Sequence, residues 1–392
     1  MAARPPDGDQ PALHRRLPRP APQGRPQHGQ VPRPVAGARQ RRGLAAAVWQ
    51  QQWRRLWHRF GHLGRVLAGL PAPLGGGPRN ASPRAGQMRP AGSLHPVRHA
   101  TVSLDGAPFH VAEAGEAGAE LAILLHGFPE CWYSWRPVMQ ALAPDFHVVA
   151  PDNRGFNLSD KTAPTSAYTP EALCGDVLAL LRHYGAERCV LVGHDWGGVL
   201  AWYFAARHPE CVTRLVILNA PHPNRLQWAL DHDPAQRAAS QYMARLRDPG
   251  CEEGLGADGE ALWAITLAGH ERYGLVDALD KEVYMQGWRT PGALTAMLNW
   301  YRAAPFVVPG ADDGYDEDRQ QLVGEVRVRA PTLLIWGMRD DILLPVLLDG
   351  LEAYVPNLEI CRFEDAGHGL LHEKPSPTAQ AVREFLLRTG GQ

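Results

Sequence analysis

From about His99 onward, short apolar runs alternate with stretches of helical period. Ala100–Leu104 and Phe109–Ala112 flank Asp105-Gly106, the dipeptide of a two-residue hairpin. Leu121–Leu125, His147–Ala150, Cys189–Val192, Leu215–Leu218 and Thr332–Trp336 are almost unbroken by polar residues, and they and Leu358–Phe363, which carries Glu359 and Arg362, read as buried strands. Pro170–Tyr184, Val199–Arg207, the stretch after Pro345 and Pro377–Leu387 predict helices. Strand–helix alternation of this kind predicts an α/β fold, a mostly parallel sheet flanked by helices. Between 222 and 309 the alternation stops and the pattern is helical, rich in Trp, Tyr, Met and Arg. The expected organisation is a core of residues 99–221 and 310–392 with a helical cap, 222–309, over the carboxyl edge of the sheet.

Residues 1–98 follow another pattern. Residues 1–48 and 71–96 are Pro-, Gly- and Arg-rich tracts that cannot bury enough apolar surface to offset their ordering entropy. The expectation is a disordered leader, or coding sequence upstream of a start at Met88, dispensable for activity. Within it Trp49, Trp53, Trp57 and Phe60 recur at helical spacing among Arg54, Arg55 and Arg59, the competing signature of a basic amphipathic helix. The segment holds 17 arginines against two acidic residues, so the formal net charge of −1 conceals an acidic body. An acidic body argues against a nucleic-acid groove. No window approaches 18 apolar residues, which excludes a membrane-spanning helix. Six cysteines, scattered without a CxxC pair, read as reduced thiols of a cytoplasmic protein. With no signal peptide, the sequons at Asn80 and Asn157 carry little weight.

The chemistry starts at Gly193. Cys189–Val192 runs into Gly193-His194-Asp195-Trp196-Gly197-Gly198 and then into a helix. Small–x–nucleophile–x–small between strand and helix is a nucleophile elbow, whose sharp turn leaves no room for neighbouring Cβ atoms. The central residue is Asp195. A carboxylate there attacks a saturated carbon and forms an alkyl ester. The acid and histidine should follow in that order. Asp340 and Asp341 lie past the Thr332–Trp336 run, and Asn219 occupies the rival acid position after Leu215–Leu218. Order and placement favour Asp340 over Asp341, and His368 after the last strand over His372. Backbone N–H groups of Phe128, in the loop after Leu121–Leu125, and of Trp196 would form an oxyanion hole. Gly254–Gly259 spells GxGxxG, but no strand precedes it and it reads as a cap loop. No metal, nucleotide or other cofactor is implied.

His126-Gly127-Phe128-Pro129-Glu130 with Trp132–Arg136, then Asp152-x-Arg154-Gly155-Phe156, then Gly193–Gly198, together resemble the epoxide hydrolases of the α/β-hydrolase superfamily, over roughly residues 99–387. That resemblance implies two cap tyrosines that hydrogen-bond the epoxide oxygen. Leu298–Arg302 matches the second tyrosine motif and gives Tyr301, while Ser240–Met243 matches the first more loosely and gives Tyr242. It also implies a small apolar epoxide and water as substrates. Asn157 stands where many relatives carry Gly. The alternatives are a haloalkane dehalogenase, in which Asn or Glu usually replaces Phe128, and a non-catalytic ligand-binding protein of the same fold, in which a triad member would be missing.

Overall fold

The computed structural model describes residues 94–390 except 311, 312, 314, 315 and 317. The expectations for the leader, including Trp49–Phe60 and Met88, lie outside the described residues.

Among the described residues, eight strands form one sheet: β1 Arg98–Leu104, β2 Ala107–Ala114, β3 Leu121–Leu125, β4 His147–Pro151, β5 Cys189–His194, β6 Val212–Leu218, β7 Thr332–Gly337 and β8 Leu358–Phe363. Their order is β1-β2-β4-β3-β5-β6-β7-β8. β1 and β2 pair antiparallel across Asp105-Gly106, both at positive φ as a primed turn demands, and β2 pairs antiparallel with β4. Every later pairing is parallel. The central strands β3, β4, β5 and β7 are buried along their whole length, whereas β1 and β8, at the two edges, carry exposed positions. That gradient is why the central runs lack polar residues.

α1 Arg136–Leu142, α2 Pro170–His183 and α3 Asp195–Arg207 connect the first strands. Eight helices lie between β6 and β7 up to residue 303: α4 Pro223–His232, α5 Pro234–Ala239, α6 Gln241–Leu246, α7 Cys251–Leu255, α8 Glu260–Ile265, α9 Ala268–Arg272, α10 Ala278–Trp288 and α11 Ala293–Ala303. α12 Asp318–Val323, α13 Leu370–Glu373 and α14 Pro375–Thr389 follow. Gly254–Gly259 connects α7 to α8, with no strand before it.

Three boundaries depart from the sequence pattern. α1 is a helix that the sequence pattern does not single out, formed where Val138, Met139 and Leu142, with Trp135 just before them, bury one face against the sheet. The helix expected after Pro345 is instead two 3₁₀ turns, Pro345–Leu348 and Leu351–Ala353, separated by Gly350 at φ +71°. α3 begins at Asp195 rather than Val199, so the elbow residue is itself the first of the helix.

Sheet order places the chemistry. β3 lies beside β5 in parallel register, Leu125 against Gly193, so the loop after β3 meets the elbow after β5. The exits of β6, β7 and β8 follow along the same edge, with Leu218 beside Ile335 and Gly337 beside Phe363. This carboxyl edge is where open α/β sheets bind ligands.

Candidate active site

Asp195 sits at φ +50°, a left-handed conformation costly for any residue but Gly or Asn, so the fold must over-determine it. It does so by close approach. A Cβ at Gly193 would lie 2.5 Å from the Gly197 carbonyl oxygen, and one at Gly197 would overlap the Leu125 carbonyl. The elbow therefore seats directly on the end of β3. A Cβ at Gly127 would likewise overlap the Asp195 side chain. The absent Cβ lets the Phe128 N–H donate to Asp195 Oδ1 at 2.7 Å. Burial keeps His126 low, hence neutral. Its Nδ1 pairs with Gly127 O at 2.9 Å and its Nε2 accepts from Asn153 N at 2.9 Å, which shapes that loop. Trp196 is the second residue of α3, so its N–H is one of the first-turn amides without an intrahelical acceptor.

His368 reaches the site from the loop after β8. That loop is zipped to the loop after β7 by Met338 N–H to Phe363 O and Arg339 N–H to Ala366 O. Gly337 is required there, because a Cβ would overlap Gly367 O. His368 Nδ1 is 2.8 Å from Asp340 Oδ2, and its Nε2 is 3.6 Å from Asp195 Oδ2. Asp340 is fully occupied: Oδ1 accepts from Ile342 N and Leu343 N at 3.0 and 2.8 Å, and Oδ2 also accepts from Asn219 Nδ2 at 2.7 Å. Asp341 does not share this contact but lines the adjoining cavity, its carboxyl pushed up to about 6 by burial and by Asp340. Burial alone would lower His368. The Asp340 and Asp195 carboxylates outweigh it and hold the imidazole well above its ordinary value.

A cavity of about 150 Å³ opens over Asp195, walled by Phe128, Tyr242, Leu246, Ile265, Tyr301 and His368 among others. Tyr301, on α11, packs edge-on against Phe128 and Trp196 with ring centroids 5.1 and 4.9 Å apart, and Tyr242, on α6, stands 6.2 Å from it. Burial, with the nearby Asp195 charge, pushes both hydroxyls well up, so they remain protonated. Arg247 holds the two helices together, donating to the carbonyls of Tyr301 and Phe306 at 2.7 Å each. Trp288 donates to Pro129 O and Trp300 to Arg154 O, which docks α10 and α11 on the loops after β3 and β4. The structure thus brings together all seven residues expected from sequence.

Other residues around the site take parts that their sequence positions do not specify. Asn219 fills the position of a rival acid yet orients Asp340. His372 sits 2.5 Å from Glu130 Oε1 rather than on Asp195. Burial would raise Glu130, but His372 and His194 hold it well below the usual carboxylate range. Asn157, at φ +41°, uses its side chain to donate to Asp152 Oδ2 at 2.8 Å, which is how a non-glycine serves there. Among the described residues no group of His, Cys, Asp or Glu is arranged to hold a metal ion, and no helix is long and apolar enough to cross a membrane.

A family model described as alpha/beta hydrolase fold matches residues 122–375. The chain is 34% identical to the AB hydrolase superfamily protein YfhM of Bacillus subtilis, over 73% of this chain and 96% of that protein. It is 35% identical to Epoxide hydrolase 3 of Xenopus tropicalis, over 79% and 82% respectively. Among solved structures, the Bacillus megaterium epoxide hydrolase in complex with an inhibitor superposes with a TM-score of 0.68 at 31% identity, covering 74% of this chain and 100% of that one.

Proposed function

The chain belongs to the epoxide hydrolases of the α/β-hydrolase fold, and from that premise we propose that it opens small apolar epoxides to vicinal diols through an ester of Asp195. The helical insertion serves as the cap that closes the site. One observation carries the reading: Asp195 stands between the Phe128 amide on Oδ1 and His368 on Oδ2, under a cavity onto which two protonated tyrosines open.

Oδ2 attacks an epoxide carbon and the C–O bond breaks. Tyr242 and Tyr301 donate hydrogen bonds, and one gives its proton, to the leaving oxygen. Oδ1, still against the Phe128 N–H, becomes the ester carbonyl oxygen. Alkylation also removes the Asp195 charge, one of the two that keep His368 protonated, so the imidazolium releases its proton, which restores the tyrosinate left by the first step, and becomes a base when one is needed. His368 Nε2 then takes a proton from water, hydroxide adds to the ester carbonyl carbon, and the Phe128 and Trp196 amides hold the oxyanion. Collapse returns the proton from His368 to the departing alkoxide, the regenerated Asp195 carboxyl gives its own proton to the imidazole beside it, and the diol leaves. The free thiols among the described residues support a reducing compartment such as the cytoplasm.

The test is the product. Purified protein should convert an aryl epoxide to its diol and release no halide from a bromoalkane; halide without diol would favour the dehalogenase alternative.

Two further outcomes follow from the same geometry. Tyr301→Phe and Tyr242→Phe should each slow alkylation about 10- to 100-fold in rapid-quench single turnovers, with ester hydrolysis little changed, because each removes a donor used only while the alkoxide forms. The two steps should also differ in pH dependence. Alkylation tolerates protonated His368 and should stay flat through the neutral range. Hydrolysis requires the neutral imidazole and should fall as pH drops through the value His368 takes in the ester. Activity should persist to pH 10, the ordinary tyrosine value, because burial raises both hydroxyls above it. Parallel acidic decline of both steps would contradict the assignment of His368 to the second alone.

A further inference from the structure

His368 is flanked by Gly367 and Gly369, so neither adjacent residue has a side chain to anchor the loop that carries it, and at His368 itself the carbonyl oxygen lies 3.1 Å from His194 Nε2. Its conformation rests on backbone hydrogen bonds, and the Glu373 carboxylate takes two of them. Gly367 N–H donates to Oε2 at 2.7 Å, and Gly369 N–H donates to Oε1 at 3.3 Å. The same Oε1 is 3.3 Å from His270 Nε2. His270 belongs to α9, in the helical insertion far along the chain, and it packs so closely on the loop that a Cβ at Gly369 would overlap its ring. Burial would raise Glu373, but His270 and the two amides bring it below the usual carboxylate range. The carboxylate is therefore charged, and its bonds to the loop are of the stronger, charge-assisted kind.

We propose that Glu373 is the positioning residue that sets His368 against Asp195, and that His270 completes the hold, so that seating of the insertion and placement of the base are one event. The proposal rests on the two-step mechanism above. His368 must keep Nδ1 on Asp340 while Nε2 faces the ester and its attacking water. A displacement of about 1 Å in such a geometry can cost on the order of 100-fold. Alkylation does not use His368, so a loosened loop slows only the second step. A residue that merely staples α13 to the fold would lower the melting temperature without changing the balance of the two steps.

The experiment measures burst and steady-state phases with an aryl epoxide, and the mass of the protein at steady state, for Glu373→Gln, His270→Ala and His368→Gln. Glutamine can accept one of the two amides but sets its own NH₂ against the other. Glu373→Gln should keep its burst rate within about twofold, lose hydrolysis about 10- to 100-fold and accumulate alkyl-enzyme. His270→Ala should move the same way by about 3- to 10-fold, because the carboxylate keeps both amides. Should Glu373→Gln fail to fold, His270→Ala decides alone. If His368→Gln traps the ester while the other two variants slow both steps equally, or only melt earlier, the positioning role is overturned and the mechanism stands. If His368→Gln traps none, the mechanism falls and this proposal with it.

Discussion

Asp195→Ala should have no measurable turnover, a loss of at least about 10⁴-fold, and should gain no mass from epoxide. The substitution removes the carboxylate that combines the elbow position, the Phe128 amide and the reach of His368. The fold should survive it. Alanine at φ +50° is strained, but the turn is held by close backbone packing of Gly193 and Gly197 and by the buried β5 and α3 on either side. The melting temperature and the circular dichroism of the variant therefore check that lost activity is lost chemistry. Residual turnover within about 100-fold of wild type would mean that another group attacks the epoxide, or that water does.

His368→Gln should separate the two steps. Alkylation needs Asp195, Tyr242 and Tyr301, all of which the variant keeps. Hydrolysis of the ester needs a base on Nε2, and glutamine offers none. Loss of a residue acting as general base typically costs at least about 10³-fold in the step it serves. The variant should consume about one equivalent of epoxide and stop, carrying the whole substrate mass on the peptide that contains Asp195. Asp340 would lose its imidazole partner but keep Asn219, Ile342 N and Leu343 N, so the buried carboxylate is not stranded. Steady turnover at a wild-type rate would remove His368 from the mechanism.

Both variants rest on residues that the sequence marks locally. Asp195 is legible because a strand, a small–x–Asp–x–small turn and a helix are contiguous, and the glycines that make the turn possible are themselves in the motif. Phe128 and His368 are legible from their place after strands. Asp340 and Asp341 both sit past β7, and hydrogen bonding separates them: Asp340 turns inward to Asn219 and His368, while Asp341 faces the cavity. Asn219 reads in sequence only as the absence of an acid, because its role depends on β6 and β7 being neighbours. Glu373, His270 and Arg247 are equally silent, since ordinary polar residues on or beside short helices acquire meaning from long-range contacts alone. The same limit explains α1, which the sheet face creates by burial, and the broken helix after Pro345, where Gly350 needs a positive φ.

One turnover in heavy-oxygen water decides whether the ester of Asp195 forms. With enzyme in excess over epoxide, water should enter at the carbonyl carbon of the Asp195 ester. The diol should then carry no heavy oxygen, and the label should appear in the carboxylate of the Asp195 peptide. Repeated turnover in the same water should carry the label from Asp195 into later diol, as the labelled oxygen becomes the attacking one. Heavy oxygen in the first-turnover diol, with none in the Asp195 peptide, would show that water attacks the epoxide directly and would contradict the account.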